Sequence, residues 1–73
     1  MIMAMAKSEL YAKVEGLIDS AGLGRVITAF AEICYEKAEH IRENWQDNVT
    51  ARSWERVGNQ LGRVEAVAGR EGF

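Results

Sequence analysis

Helical periodicity sustained over roughly six turns is the feature that most restricts how this chain folds. Between residues 23 and 45 the apolar positions recur at spacings of three and four, which places them on one side of an α-helix. They are Leu23, Val26, Ile27, Phe30, Ile33, Cys34, Ala38, Ile41 and Trp45. The 73-residue chain contains no proline, so no residue forces such a helix to break. We therefore expect a long helix over residues 24–45.

Two further segments show the same rhythm. Residues 8–21 carry an apolar stripe, and Gly22 and Gly24 then favour a helix end. Residues 49–68 place Trp54, Val57, Leu61, Val64 and Ala68 on one face, with the 3-4 alternation of a heptad seam. Gly58 and Gly62 stand beside this seam and are predicted to let another helix backbone approach closely.

These patterns predict an all-α fold, a small three-helix domain over residues 1–73 with frayed ends at 1–7 and 69–73. The third helix is expected to run antiparallel to the long one after a break at residues 46–48, where Asp47 or Asn48 is placed to cap it. The predicted core consists of Phe30, Cys34, Ile41, Trp45, Trp54 and Leu61. The first helix is too short to cover the whole stripe of the second, so we expect a homodimer or higher homo-oligomer.

Composition narrows the classes of protein further. Nine basic and eleven acidic residues give a net charge of −2, which does not favour a protein that wraps nucleic acid or coats an anionic membrane. A single cysteine excludes an internal disulfide. The first seven residues are too short and too weakly apolar for a signal peptide, and no apolar run is long enough to span a bilayer. We expect a cytoplasmic protein with no membrane contact.

The densest group of ionisable residues lies on the long helix. Glu32, Glu36, Glu39 and Glu43 fall opposite its apolar stripe, which is typical of a solvated face and less often of a surface that binds a partner. Glu36 and His40 are four residues apart, a spacing that lets two side chains reach one ion. The carboxylate-bridged di-iron spacing of Glu and His at i and i+3 is missed by one residue, so we expect no metal.

Arginines mark the outer edge of the third helix. Arg52, Arg56 and Arg63 lie there, and we expect them to pair with the acidic edge of helix two, in the same or a neighbouring subunit, more readily than with phosphates. The segment 53–62 resembles the first helix of a helix-turn-helix unit. The heptad rhythm continues through Leu61-Gly62, however, where that motif would turn, so binding of nucleic acid is not expected.

Cys34 lies in the middle of the apolar stripe and is predicted to be a buried structural residue, because a reactive thiol needs exposure and a neighbouring base. With one histidine and one cysteine, and with no phosphate-binding loop or nucleophile elbow, we expect no enzymatic activity and no cofactor.

The block from Leu23 to Trp54 resembles a family of small helical bacterial proteins. The shared features are a Cys-x-x-Lys-Ala-x-His stretch, here Cys34 to His40, and an Asn-Trp-Gln-Asp end, here Asn44 to Asp47. The block that looks similar covers a little under half of the chain. The family carries no known activity, so the resemblance implies only that residues 44–47 form a defined helix end.

The sequence therefore predicts a small helical protein-interaction or regulatory module that acts as a homo-oligomer. Two alternatives stay open. One is a nucleic-acid-associated regulator that uses the arginine edge of helix three, and the other is a helical oligomer that binds a metal or a ligand through Glu36 and His40.

Overall fold

The structure, a computed structural model, describes residues 5–73. It contains three α-helices in this range and no β-strand: α1 (Lys7–Ala21), α2 (Leu23–Trp45) and α3 (Asn48–Arg70). The all-α, three-helix prediction is confirmed. Of the segment expected to fray at the amino end, residues 1–4 lie outside the described residues, and Lys7 already belongs to α1.

Helices α2 and α3 form an antiparallel hairpin. Arg42 pairs with Glu55 near the turn, Tyr35 with Asn59 in the middle, and Thr28 with Glu65 towards the open end. Partners therefore move backwards along α3 as the chain advances along α2.

A two-residue connection, Gln46-Asp47, makes this reversal possible. Gln46 adopts the left-handed conformation with φ 52° and ends α2. Asp47 then caps α3, as the sequence predicted: its Oδ1 accepts from the backbone N–H of Thr50 at 3.0 Å, and its Oδ2 accepts from the Thr50 hydroxyl at 2.6 Å. The side-chain bond from Thr50, followed by the backbone bond, lowers the pKa of Asp47 below its ordinary value.

The hairpin is held together by a seam of small residues. The positions of α3 that face α2 recur at heptad spacing and include Ala51, Gly58 and Ala68, all buried. On α2 the buried residues include Ala31 and Ala38. Such residues let the two helix axes approach closely, but each removes little apolar surface from water.

Gly58 marks the closest approach in this seam. A Cβ at Gly58 would lie 3.0 Å from Cε1 of Tyr35 and 3.4 Å from the carbonyl oxygen of Ala31. Gly62, which the sequence grouped with Gly58, has open space where a Cβ would go. Only Gly58 therefore serves the close packing predicted for the pair.

Helix α1 projects away from the hairpin instead of packing over it. It has no buried residue, and it approaches α2 but not α3. The molecule measures 38 × 31 × 14 Å, which is a flat single layer. Its radius of gyration of 14.1 Å exceeds the value of about 11 Å for a compact chain of this length.

The carboxyl end of the chain is more ordered than the sequence predicted. Residues 69–73 were predicted to fray, yet α3 continues to Arg70. The turn after it is hydrogen-bonded both to α3 and to the start of α2. The N–H of Phe73 donates to the carbonyl oxygen of Ala68 at 2.8 Å, and the main-chain oxygen of Phe73 accepts from the N–H of Gly24 at 2.9 Å. The last turn thus satisfies an N–H group that α2 leaves open at its start.

Two of the residues predicted to form the core do not belong to it. Trp45 is 73% exposed, because it ends α2 at the turn, where α3 is only beginning and presents nothing to cover an indole. Phe30 is 38% exposed, because it lies on α2 beside the seam and α1 does not reach over it. Cys34 is buried, and Ile41, Trp54 and Leu61 are partly buried.

The seam predicts opposite effects for two glycines four residues apart. Gly58→Leu should lower the free energy of unfolding by about 1–3 kcal/mol, because its side chain must displace Tyr35 and meets the Ala31 carbonyl. Gly62→Ala should raise it by about 0.5–1 kcal/mol, because it gains helix propensity in open space. Urea denaturation of both variants measures this, and equal effects of the same sign would contradict the seam as described.

The cap predicts a pH dependence. The lowered pKa of Asp47 means that its carboxylate stabilises the fold above its ordinary pKa of about 4 and that this contribution is lost as the pH falls through the lower, folded-state value. Asp47→Ala should therefore lower Tm by several degrees at about pH 7, and by much less at about pH 2.5. An equal Tm difference at both pH values would show that the ionised cap is not responsible.

Candidate functional site

The hairpin has one polar side and one apolar side. Tyr35, Asn59, Arg42 and Glu55 meet on the polar side of the seam. Helical periodicity places four exposed residues on the opposite side, namely Phe30 and Ile33 of α2 and Val57 and Val64 of α3. We call these four residues the apolar face. No other described helix covers it, since its four residues are exposed and α1 does not approach α3.

A second apolar surface lies on α1. Leu10, Tyr11 and Leu17 are exposed and Val14 and Ile18 partly so, and their spacing puts them on one stripe. We call these five residues the α1 stripe. Four of them line a shallow groove along this helix, together with Lys7 and Glu15. An exposed apolar stripe of this kind makes the surface a candidate for association.

Charged residues line the polar side in two separate rows. Glu32, Glu36, Glu39 and Glu43 are exposed along α2, and Arg52, Arg56 and Arg63 are exposed along α3. We call these seven residues the charged face. The sequence predicted that the two rows pair with each other, but within residues 5–73 they form no ion pair.

The ion pair that does form between the helices has its basic residue on α2 and its acidic residue on α3. Arg42 of α2 donates from Nη2 to Oε1 of Glu55 on α3 at 3.0 Å, and this hydrogen bond is the main cause that raises the pKa of Arg42. Sequence reasoning missed this pair. The sequence feature that could have indicated it is Arg42 itself, a basic residue of α2 that directly precedes Glu43 of the acidic row.

The proposed metal ligands do not form a metal centre. Glu36 and His40 border one shallow groove, which Lys37 also lines, and an ammonium group there opposes a cation. The Asn44 amide nitrogen lies 3.1 Å from Nδ1 of His40 and donates to the His40 carbonyl oxygen. Among residues 5–73, no three His, Cys, Asp or Glu side chains come together as a metal would require.

Neither of the two other proposed sites has the geometry it needs. Cys34 is a free thiol and only 6% exposed, so it has no access to a substrate. Residues 53–62, which resemble the start of a helix-turn-helix unit, lie within one uninterrupted helix from Asn48 to Arg70. The turn and the second helix that read DNA in such a unit are absent from α3.

Comparison with known proteins gives no relative: no protein-family model, no curated protein and no solved structure matches the chain. The resemblance of residues 23–54 to small bacterial helical proteins stays a prediction. Among the described helices, none combines the length and the apolar character that crossing a bilayer requires.

Sequence reasoning identified the apolar stripe of α3 but did not distinguish its buried from its exposed members. Val57 and Val64 were grouped on one face with Ala68, whereas both valines are exposed and the buried residues of α3 are Ala51, Gly58 and Ala68. Residue size distinguishes the exposed valines from the buried seam residues, since a close helix pair needs small residues. The larger valines are thus free for another contact.

Burial of Cys34 leads to a prediction about its thiol. Cys34→Ser should lower the free energy of unfolding by about 1–3 kcal/mol, because a hydroxyl replaces a small apolar group in the core. In the native protein the thiol should react with a disulfide reagent far more slowly than in the denatured protein. Rapid stoichiometric labelling of the native chain would contradict this burial.

Proposed function

We propose that the protein is a cytosolic helical interaction module that acts as a homo-oligomer, at minimum a dimer. The observation that supports this most directly is the apolar face, whose four aliphatic and aromatic residues are exposed on a hairpin whose buried residues are mostly small. A chain that keeps such a face in water loses the stabilisation that its burial would give.

The accessible surface supports the same proposal quantitatively. The chain exposes 6012 Å², whereas a compact monomer of 8.1 kDa exposes about 4,500 Å². The difference of about 1,500 Å² exceeds the share of one partner in a standard interface, about 800 Å², and falls in the range of obligate homodimers. The excess is therefore large enough for a stable dimer interface.

In such an oligomer the charged face is the surface left for a different protein. Its acidic and basic rows are exposed and unpaired with each other within the described residues. Separate rows of opposite charge favour a partner with a complementary pattern, and such charges act mainly on specificity and on the rate of encounter.

One observation favours a nucleic-acid-associated regulator as a second candidate. Because α3 continues to its end at Arg70, four exposed arginines, Arg52, Arg56, Arg63 and Arg70, share one side of the helix. Binding to duplex DNA that weakens steeply with salt would support this candidate. Absence of binding at low salt would exclude it, and the net charge of −2 favours that outcome.

The proposal predicts the mass of the protein in solution. Sedimentation equilibrium at micromolar concentration should give at least twice the mass of 8.1 kDa. Val57→Glu should weaken association at least about 100-fold, because it places a carboxylate within the interface. Arg56→Glu is the control: it places a carboxylate one residue away on the charged face and changes the net charge by −2, twice the change of Val57→Glu, and it should keep the oligomer.

Two results would contradict the proposal. The first is a monomer mass for the unaltered chain across the concentration range. The second is weakening by Arg56→Glu at least as strong as that by Val57→Glu, which would show that net charge and not the apolar face governs association.

A further inference from the structure

The two interhelical connections of this chain differ in a way that decides which surfaces can meet. A two-residue connection, residues 46–47, lets α3 fold back on α2. Between α1 and α2 there is one residue, Gly22, with φ 92°. Antiparallel helix pairs need about two to five connecting residues, so α1 cannot fold back over its own hairpin without unwinding a helix end. The α1 helix of the same chain therefore does not close the apolar face.

Two apolar surfaces consequently remain open on one molecule. One is the apolar face of the hairpin, and the other is the α1 stripe. At 15 residues, α1 is about 22 Å long, which is enough to cross the apolar face along most of the hairpin. A dimer that joins only the two apolar faces would leave Leu10, Tyr11 and Leu17 in water.

We propose that the occupant of the apolar face is the α1 helix of a second copy, exchanged reciprocally between two chains. The inference rests on the proposed function, since it specifies the contact that makes the oligomer. Reciprocal exchange buries both apolar surfaces of both chains under one two-fold axis, as closed homodimers do. The projecting α1 and its one-residue connection are then the parts of the fold that serve assembly.

Cross-linking between different copies tests this arrangement. Two full-length chains, one carrying an affinity tag, are both prepared with Cys34→Ala, so that the native thiol does not interfere. The tagged chain carries Val14→Cys in the middle of α1 and the other carries Val57→Cys on the apolar face. After mixing, unfolding and refolding together, oxidation should join tagged to untagged chains.

The matched control replaces Val57→Cys by Arg56→Cys on the charged face. The yield of joined chains should be at least about tenfold lower, because a disulfide needs Cα atoms within about 7 Å. A second pair, Leu17→Cys with Val64→Cys, repeats the test if the first pair disturbs folding, which circular dichroism reports. The sedimentation mass of each mixture is measured in parallel.

The outcomes separate the two proposals. A dimer mass with either α1-to-hairpin product supports the exchange. A dimer mass in which Val57→Cys chains join only to each other overturns the exchange and leaves the proposed homo-oligomer standing. A dimer mass with neither α1-to-hairpin product, in properly folded chains, also overturns the exchange. A monomer mass overturns both.

Discussion

Close packing of α2 against α3 through small residues is the constraint on which the rest of the structure depends. Ala31, Ala38, Ala51, Gly58 and Ala68 bring the two helices together and fix an antiparallel hairpin with few large residues between its helices. Burial of an apolar side chain stabilises in proportion to the area removed from water. A seam of alanine and glycine therefore gives a well-defined geometry but limited stabilisation, and the larger apolar residues are left to other contacts.

The two sides of the hairpin follow from this division. Polar residues adjacent to the seam, such as Arg42 and Glu55, tie the helices together on one side. The larger residues, such as Phe30 and Val57, collect on the other side. Because Gly22 alone links α1 to α2, the third helix does not close that side. The described helices thus form one layer, whereas stable domains are built from two packed layers, and this difference is the basis for proposing a second copy.

Sequence periodicity was sufficient to predict the helices and the fold class, because three amphipathic stripes separated by Gly22 and by residues 46–48 leave little choice. The Asp47 cap was predictable for the same local reason. The packing partners of the apolar residues were not predictable from the sequence. Trp45 and Phe30 satisfy the helical spacing of core residues, yet their burial depends on whether another helix lies opposite them. The one-residue connection before α2 and the small residues of the seam decide whether such a helix is present. Helical periodicity contains no information on either. The apolar face was not predictable either: the sequence drew attention to Glu36, His40 and the arginines, and it placed Val57 and Val64 on the apolar stripe of α3 without indicating that they are exposed.

The central claim is that the folded chain depends on a second copy to cover its apolar face. The most direct test is the midpoint of reversible thermal unfolding, measured by circular dichroism over about a 100-fold range of protein concentration. If folding and association are coupled, mass action requires that Tm rise with concentration. A Tm that stays constant over this range, with reversible unfolding of a monomer, would contradict the account.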